Sequence, residues 1–211
     1  MKIPLKHLEW ARRDPAAYAT FREDNPSGRD TRGGPSFYGF WRIAAFHYHK
    51  LAGDREAAVS HYTELVKNNF LDNQKNQKKL DEHVEYLNDY FDDFERLNSF
   101  PSETKKRINL DVGFDIHVTG EVPRIDVVLA GGFAAYFFEK KETDWQRELR
   151  YPFIQHHLSE LLGCRTEEIA VGVFCLETRQ HEHVVFQRTE IDNAMKELDR
   201  VLKKVRKALK P

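Results

Sequence analysis

The sequence predicts an α/β domain, with an enlarged helical region over 1–100 and a mixed central sheet and closing helix over 101–211. Three observations predict this. Apolar residues recur at helical spacing through the first hundred positions, alternation replaces that spacing near Phe100-Pro101, and helical and strand-like segments interleave from there on. With 211 residues, 40% hydrophobic and 32% charged, a single domain with a sizeable core is expected, and disordered, collagenous and fibrous classes are excluded.

Residues 5–20 read as a first helix, and Asp24 to Pro35 (DNPSGRDTRGGP) has the composition of an exposed loop. Ser36 is a good N-cap for a helix reaching about Ala52, where Gly53 stops it. Helices follow over Asp54–Asn69 and about Gln77–Leu97. The second repeats Leu80, Val84, Leu87, Phe91 and Phe94 on one face and carries Asp81, Glu82, Glu85, Asp89, Asp92, Asp93 and Glu95 on the other, a face that is either solvated or turned to a basic partner. Arg107–Val118 alternates as a strand, and Pro123–Ala130, Gly131-Gly132 and Phe133–Lys141 read as a hairpin. A helix from Trp145 to Leu162 closed by Gly163, strands over Ile169–Leu176 and His183–Gln187, and a helix over Thr189–Leu209 complete the chain. The basic end from Arg200 to Lys210 reads as a solvated face, and the stripe of Val201, Leu202, Val205 and Leu209 as a face packed on the domain or on another subunit.

Lysine plus arginine total 33 against 34 acidic residues, so a net charge of -1 supplies no general field for nucleic acid. No apolar run approaches the ~20 residues of a membrane span, and Met1 to Trp10 lacks a signal-peptide core, so a cytoplasmic protein with no membrane association is expected. Cys164 and Cys175 cannot build a zinc or iron–sulfur centre between them and read as two buried, reduced thiols. A Walker A motif would need lysine where Gly34 stands, GxSxG and GxGxxG do not occur, and His181-Glu182-His183 lacks the second zincin histidine because Val185 holds that place.

The chemistry concentrates in PRIDVVLAGGFAAYFFEKK. On a strand, residues two apart share a face, so Glu139 and Lys141 are expected to point one way and Lys140 the other, while the neighbouring hairpin strand can bring Asp126 beside Glu139. Two converging carboxylates suit a hard divalent cation, and an adjacent ammonium could position or deprotonate water, or offset charge on a phosphoryl group. Spacing alone favours charged strand ends. The placement of Glu139 and Lys141 at the end of an apolar strand favours a site, because charge near a core is costly without a partner or a function.

Asp126, Glu139 and Lys141, followed by the helix from Trp145, resemble the PD-(D/E)XK nuclease superfamily, in its RecB-type exonuclease branch. The resemblance covers roughly residues 80–187 and implies a restriction-endonuclease-like αβββαβ core. Pro123 stands where the family has glycine, and Glu142 where it has threonine. It further implies metal-dependent cleavage of DNA, with Mg2+ or Mn2+ held by Asp126, Glu139, the Lys140 carbonyl and His47, the histidine of the segment Arg42-Ile43-Ala44-Ala45-Phe46-His47. Lys141 would be the catalytic cation, and Tyr151 and Gln155 would orient phosphate or water. Helical phase puts His47 with Phe40, Ala44 and Leu51 on the face expected to meet the sheet, and His49 elsewhere. The lack of an ATPase signature and the acidic 81–95 face suggest that a helicase or other ATPase subunit presents the substrate. The alternative is a catalytically inactive nuclease-fold subunit used in assembly or DNA binding.

Overall fold

The computed structural model describes residues 1–25, 34–113 and 115–209. Most of the loop expected at 24–35, Phe114 of the first expected strand, and Lys210 lie outside the described residues.

Lys2–Pro4 forms β1, which the sequence did not suggest, and a 3-10 turn over Leu5–His7 leads into α1 (Leu8–Arg13). The single helix expected over 5–20 is broken because Pro15 has no N–H to continue α1. Asp14 instead caps α2 (Pro15–Asp24), accepting from the Ala17 N–H at 2.9 Å, with proline in the first helical turn where its missing donor does no harm. Three more capped helices follow: α3 (Phe37–Lys50) from Ser36, α4 (Arg55–Asn69) from Asp54 and α5 (Gln74–Glu95) from Asn73.

The expected strand at 107–118 straddles a turn. Ser99–Asp111 forms β2 and His117–Val128 forms β3, paired antiparallel. Between them the Asp111 carboxylate accepts from the Gly113 N–H at 2.9 Å, and Gly113 takes the left-handed φ of 84° that reverses the chain. Next come β4 (Phe133–Glu139), a 3-10 turn over Trp145–Arg147, α6 (Arg150–Leu162) stopped by left-handed Gly163, β5 (Ile169–Cys175), β6 (Gln180–Val184) and α7 (Arg188–Ala208).

The sheet is mixed and runs β1-β3-β4-β5-β6, with β2 also on β3; β1 with β3 and β4 with β5 are parallel, the remaining pairs antiparallel. One face buries Leu8, Tyr18, Ile125, Phe137, Ile154, Val171 and the α7 stripe of Val201, Leu202 and Val205. The other buries Trp41, Tyr62, Leu87, Phe91, Phe138 and Phe174 beneath α3, α4 and α5. The closing helix therefore packs on this chain, fastened also by the Arg12–Glu197 ion pair at 2.7 Å. Cys175 is buried, whereas Cys164 is only half-buried. The acidic face of α5 draws its cations from the same chain: Arg55 pairs with Asp92 and Glu95, and Arg179 with Glu85 and Asp89. Among the described residues, no helix is long and apolar enough to cross a membrane.

Candidate functional site

The strand β4 ends at Glu139, held opposite Cys175 of β5. Its carboxylate accepts from the Arg150 guanidinium at 2.6 Å and from the Tyr151 hydroxyl at 3.2 Å, both from the first turn of α6. Arg150 also donates to Glu148 at 2.7 Å; burial lifts the Glu148 carboxyl above its ordinary range, and Arg150 opposes that lift. Burial likewise raises the Tyr151 phenol, so the hydroxyl keeps its proton and donates. Lys140 and Lys141 lie exposed in the bend after the strand, and the Lys140 ammonium stands 4.6 Å from the Tyr38 ring centroid. Strand alternation thus stops at Glu139 and does not govern Lys141.

Beside this strand end the sheet opens. The strands β3 and β4 pair only from Arg124–Val127 to Phe133–Tyr136. Pro123, with no N–H to extend a ladder, marks the point where they part. Three residues beyond the last pair in each strand, Glu121 and Glu139 both line the resulting cleft, whose volume is about 670 Å³. Lys6, Arg42, Lys140, Lys141 and Arg150 also line it. Five cationic groups against two carboxylates make a local anion-attracting surface in a chain of net charge -1. Arg42 of α3 reaches Glu121 at 3.4 Å, so each cleft carboxylate has an arginine partner.

Asp126 is not in this cleft. It pairs with Ala134, five residues short of Glu139, which on a strand is a separation of about 16 Å. It also faces the α5 side of the sheet, while Glu139 turns to α6. There it is fully buried in a 3.0 Å ion pair with Arg124 and accepts from the Ser99 hydroxyl at 3.0 Å. Burial raises its carboxyl above the ordinary range, with Arg124 and Ser99 opposing the shift. The Arg124 guanidinium, also fully buried, lies over the rings of Phe94 and Tyr136 at 4.6 and 4.5 Å. It donates to the Tyr90 hydroxyl and approaches His181 Nε2 at 3.2 Å, and the far nitrogen of His181 lies 2.8 Å from Asp93. Asp126 is the counterion of a buried network that pins α5 to the sheet.

The histidines exchange the places expected of them. His47 stacks on His61 of α4, with ring centroids 4.4 Å apart, whereas His49 reaches the Tyr90 hydroxyl in the buried network. The phase of α3 is set by Trp41, Ala45 and Tyr48, all buried, while Phe40 is half-buried and Leu51 is exposed. Gln155 is fully buried and uses its whole amide on the backbone. It donates to the carbonyls of Thr166 and Phe186, each at 2.9 Å, and accepts from the Phe186 N–H at 2.8 Å. It ties α6 to the loops around β5, and with both N–H groups committed and the side chain fully buried it offers no donor to phosphate.

Among the described residues, no three His, Cys, Asp or Glu side chains gather as a metal cage. The expected set fails at Asp126 and His47 for the reasons above. The carboxylates that do line the cleft are Glu139 and Glu121, with Thr119, Thr143 and Lys140 beside them. That donor chemistry fits a hard cation that retains several waters. The sequence signal for Glu121 was available: it lies two residues before a proline inside a strand, where pairing must lapse. Arg42, Arg150 and Tyr38 carried no comparable signal. No protein-family model matches the chain, and no curated protein matches it by sequence.

Proposed function

We propose that the chain is a metal-dependent nuclease of the RecB-type PD-(D/E)XK design, in which Glu121 takes the part expected of Asp126. The carrying observation is the cleft itself: two carboxylates and five cationic groups gathered where β3 and β4 part. The order α5-β2-β3-β4-α6-β5 supports a restriction-endonuclease-like αβββαβ core, with Glu121 on its second strand and Glu139 on its third. Glu121, Glu139 and the Lys140 carbonyl would hold Mg2+ or Mn2+. When bound, such an ion polarises a phosphodiester and lowers the pKa of attacking water. Lys141 would position that water or offset phosphoryl charge, and Arg42 and Arg150 would bind the flanking phosphates. The chain's near-zero net charge fits a substrate handed over by an ATPase or helicase subunit.

The test is degradation of linear and single-stranded DNA with Mn2+. Glu121→Gln and Glu139→Gln should each lower the rate at least ~100-fold in protein that circular dichroism shows to be folded at the assay temperature, a loss typical of a group that acts on the transition state. Wild-type protein that neither binds Mn2+ by calorimetry nor cleaves overturns the reading. A second reading, a non-catalytic nucleic-acid-binding subunit, is favoured by the arginine already seated on each carboxylate, at 2.6 Å on Glu139 and 3.4 Å on Glu121. It requires DNA binding that is indifferent to Mn2+.

A further inference from the structure

A second depression, of about 820 Å³, adjoins the cleft and shares Tyr38, Lys140 and Lys141 with it. Its far wall is built by α5, the start of α3 and the end of α4. Phe70 stacks on Phe37 at 4.4 Å, Phe37 meets His83 at 5.6 Å, and His83 meets Tyr86 at 5.4 Å, so aromatic rings line the groove in succession. Lys75 and Lys79 stand exposed on its rim, the Lys79 ammonium 5.6 Å from the Phe37 ring centroid. With the shared Lys140 and Lys141, four lysines face two glutamates, Glu82 and Glu177.

We infer that this groove binds an unpaired polynucleotide strand and leads it to the cleft. Rings interleaved with ammonium groups suit a chain whose phosphates repeat and whose bases are unstacked, whereas a duplex offers only its phosphates to such a wall. The overlap at Tyr38, Lys140 and Lys141 makes groove and cleft one path, so a strand lying in the groove delivers its next phosphodiester between Glu121 and Glu139. This inference rests on the nuclease reading for the role of the cleft, yet binding is measured without catalysis.

Fluorescence anisotropy of the full chain with labelled 12-residue oligo-dT, oligo-rU and a matched duplex, all in EDTA, is the experiment. Four lysine contacts to a single strand predict that affinity falls about 50-fold between 50 and 200 mM salt. Lys75→Ala/Lys79→Ala should reduce that fall to about sevenfold, and both sites are exposed, so folding is not at issue. Tyr86→Ala should weaken oligo-dT at least about fivefold at fixed salt, the loss of one stacking platform. Binding of oligo-dT without oligo-rU, or of both, supports the inference and settles the sugar. Duplex bound as tightly as single strand, or a double lysine variant with unchanged salt dependence, overturns it. Binding as predicted with neither Mn2+ binding nor cleavage keeps this inference and removes the nuclease reading.

Discussion

Replacing Asp126 with asparagine separates a structural counterion from a metal ligand. Arg124 and Asp126 are both fully buried and 3.0 Å apart, so the variant leaves an uncompensated guanidinium inside the protein. Breaking a buried pair from one side costs about 3–5 kcal/mol. Here the lower end applies: asparagine can keep the Ser99 hydrogen bond, and Arg124 keeps its contacts with Tyr90, His181 and the flanking rings. For a chain of this size each kcal/mol moves the melting temperature by about 2–4 °C, so a fall of about 6–12 °C is expected. Glu139→Gln, in a pair whose side chains are 15% and 22% exposed, should cost about 1–2 kcal/mol, because glutamine still accepts from Tyr151 and Arg150 keeps Glu148. Scanning calorimetry on both variants, beside Mn2+ titrations, reads the difference. An Asp126→Asn protein that melts within about 2 °C of the parent and has lost Mn2+ affinity would refute the reasoning, since so small a shift is what a surface change produces.

Acid should unfold the protein through its buried imidazoles. Burial pushes His181 down to about 3 and His49 down to about 2, so below the ordinary value of about 6.5 only the unfolded chain takes up those protons. Stability then falls with pH by about 1.4 kcal/mol per unit for His181 alone, with His49 adding in the same direction and the raised Asp126 carboxyl opposing at lower pH; urea midpoints at neutral and mildly acid pH check it, and a flat profile refutes it. His49→Ala leaves the buried Tyr90 hydroxyl without its imidazole partner and should cost about 1–3 kcal/mol, whereas His47→Ala, losing a ring contact with His61, should cost under about 1 kcal/mol. Neither should alter Mn2+ affinity, and a loss confined to His47→Ala would restore that residue to the site. Gln155→Leu strands three buried backbone groups and should lower the melting temperature by about 5 °C or more without changing DNA affinity per folded molecule.

Local chemistry was legible wherever it alone decides structure. Ser36 and Asp54 cap the helices they were expected to start, and Gly163 closes α6 in the left-handed conformation. The mixed sheet with helices on both faces follows from the change of period near Phe100. What the sequence hid was set by distant partners. β1 exists because β3 offers an edge, and the register of β3 on β4 follows from a turn centred on Ala130 rather than on Gly131-Gly132, with the Val128 N–H donating to the Gly132 carbonyl at 3.1 Å. That small shift carries Asp126 away from Glu139. The phase of α3 was equally hidden, because its aromatics ring the helix and only contact with Tyr90 and Phe138 selects the Trp41 side. Glu139 ends its strand two residues short of the expected end, Lys141 lies beyond it in the bend, and Glu121 joins the cleft through a lapse in pairing that a motif search passes over.

On the nuclease reading, the two ion pairs of the cleft make anion and cation binding interdependent. A phosphate that draws Arg150 away uncovers Glu139, and one that engages Arg42 uncovers Glu121. A divalent ion that occupies the carboxylates releases both guanidiniums. Each ligand therefore removes the competitor of the other, and thermodynamic reciprocity requires that each strengthen the other by the same factor. Lys6, Lys140 and Lys141 keep the cleft cationic throughout, so on that reading the anion meets an attractive surface from the start, while the cation gains most from having the carboxylates unlatched.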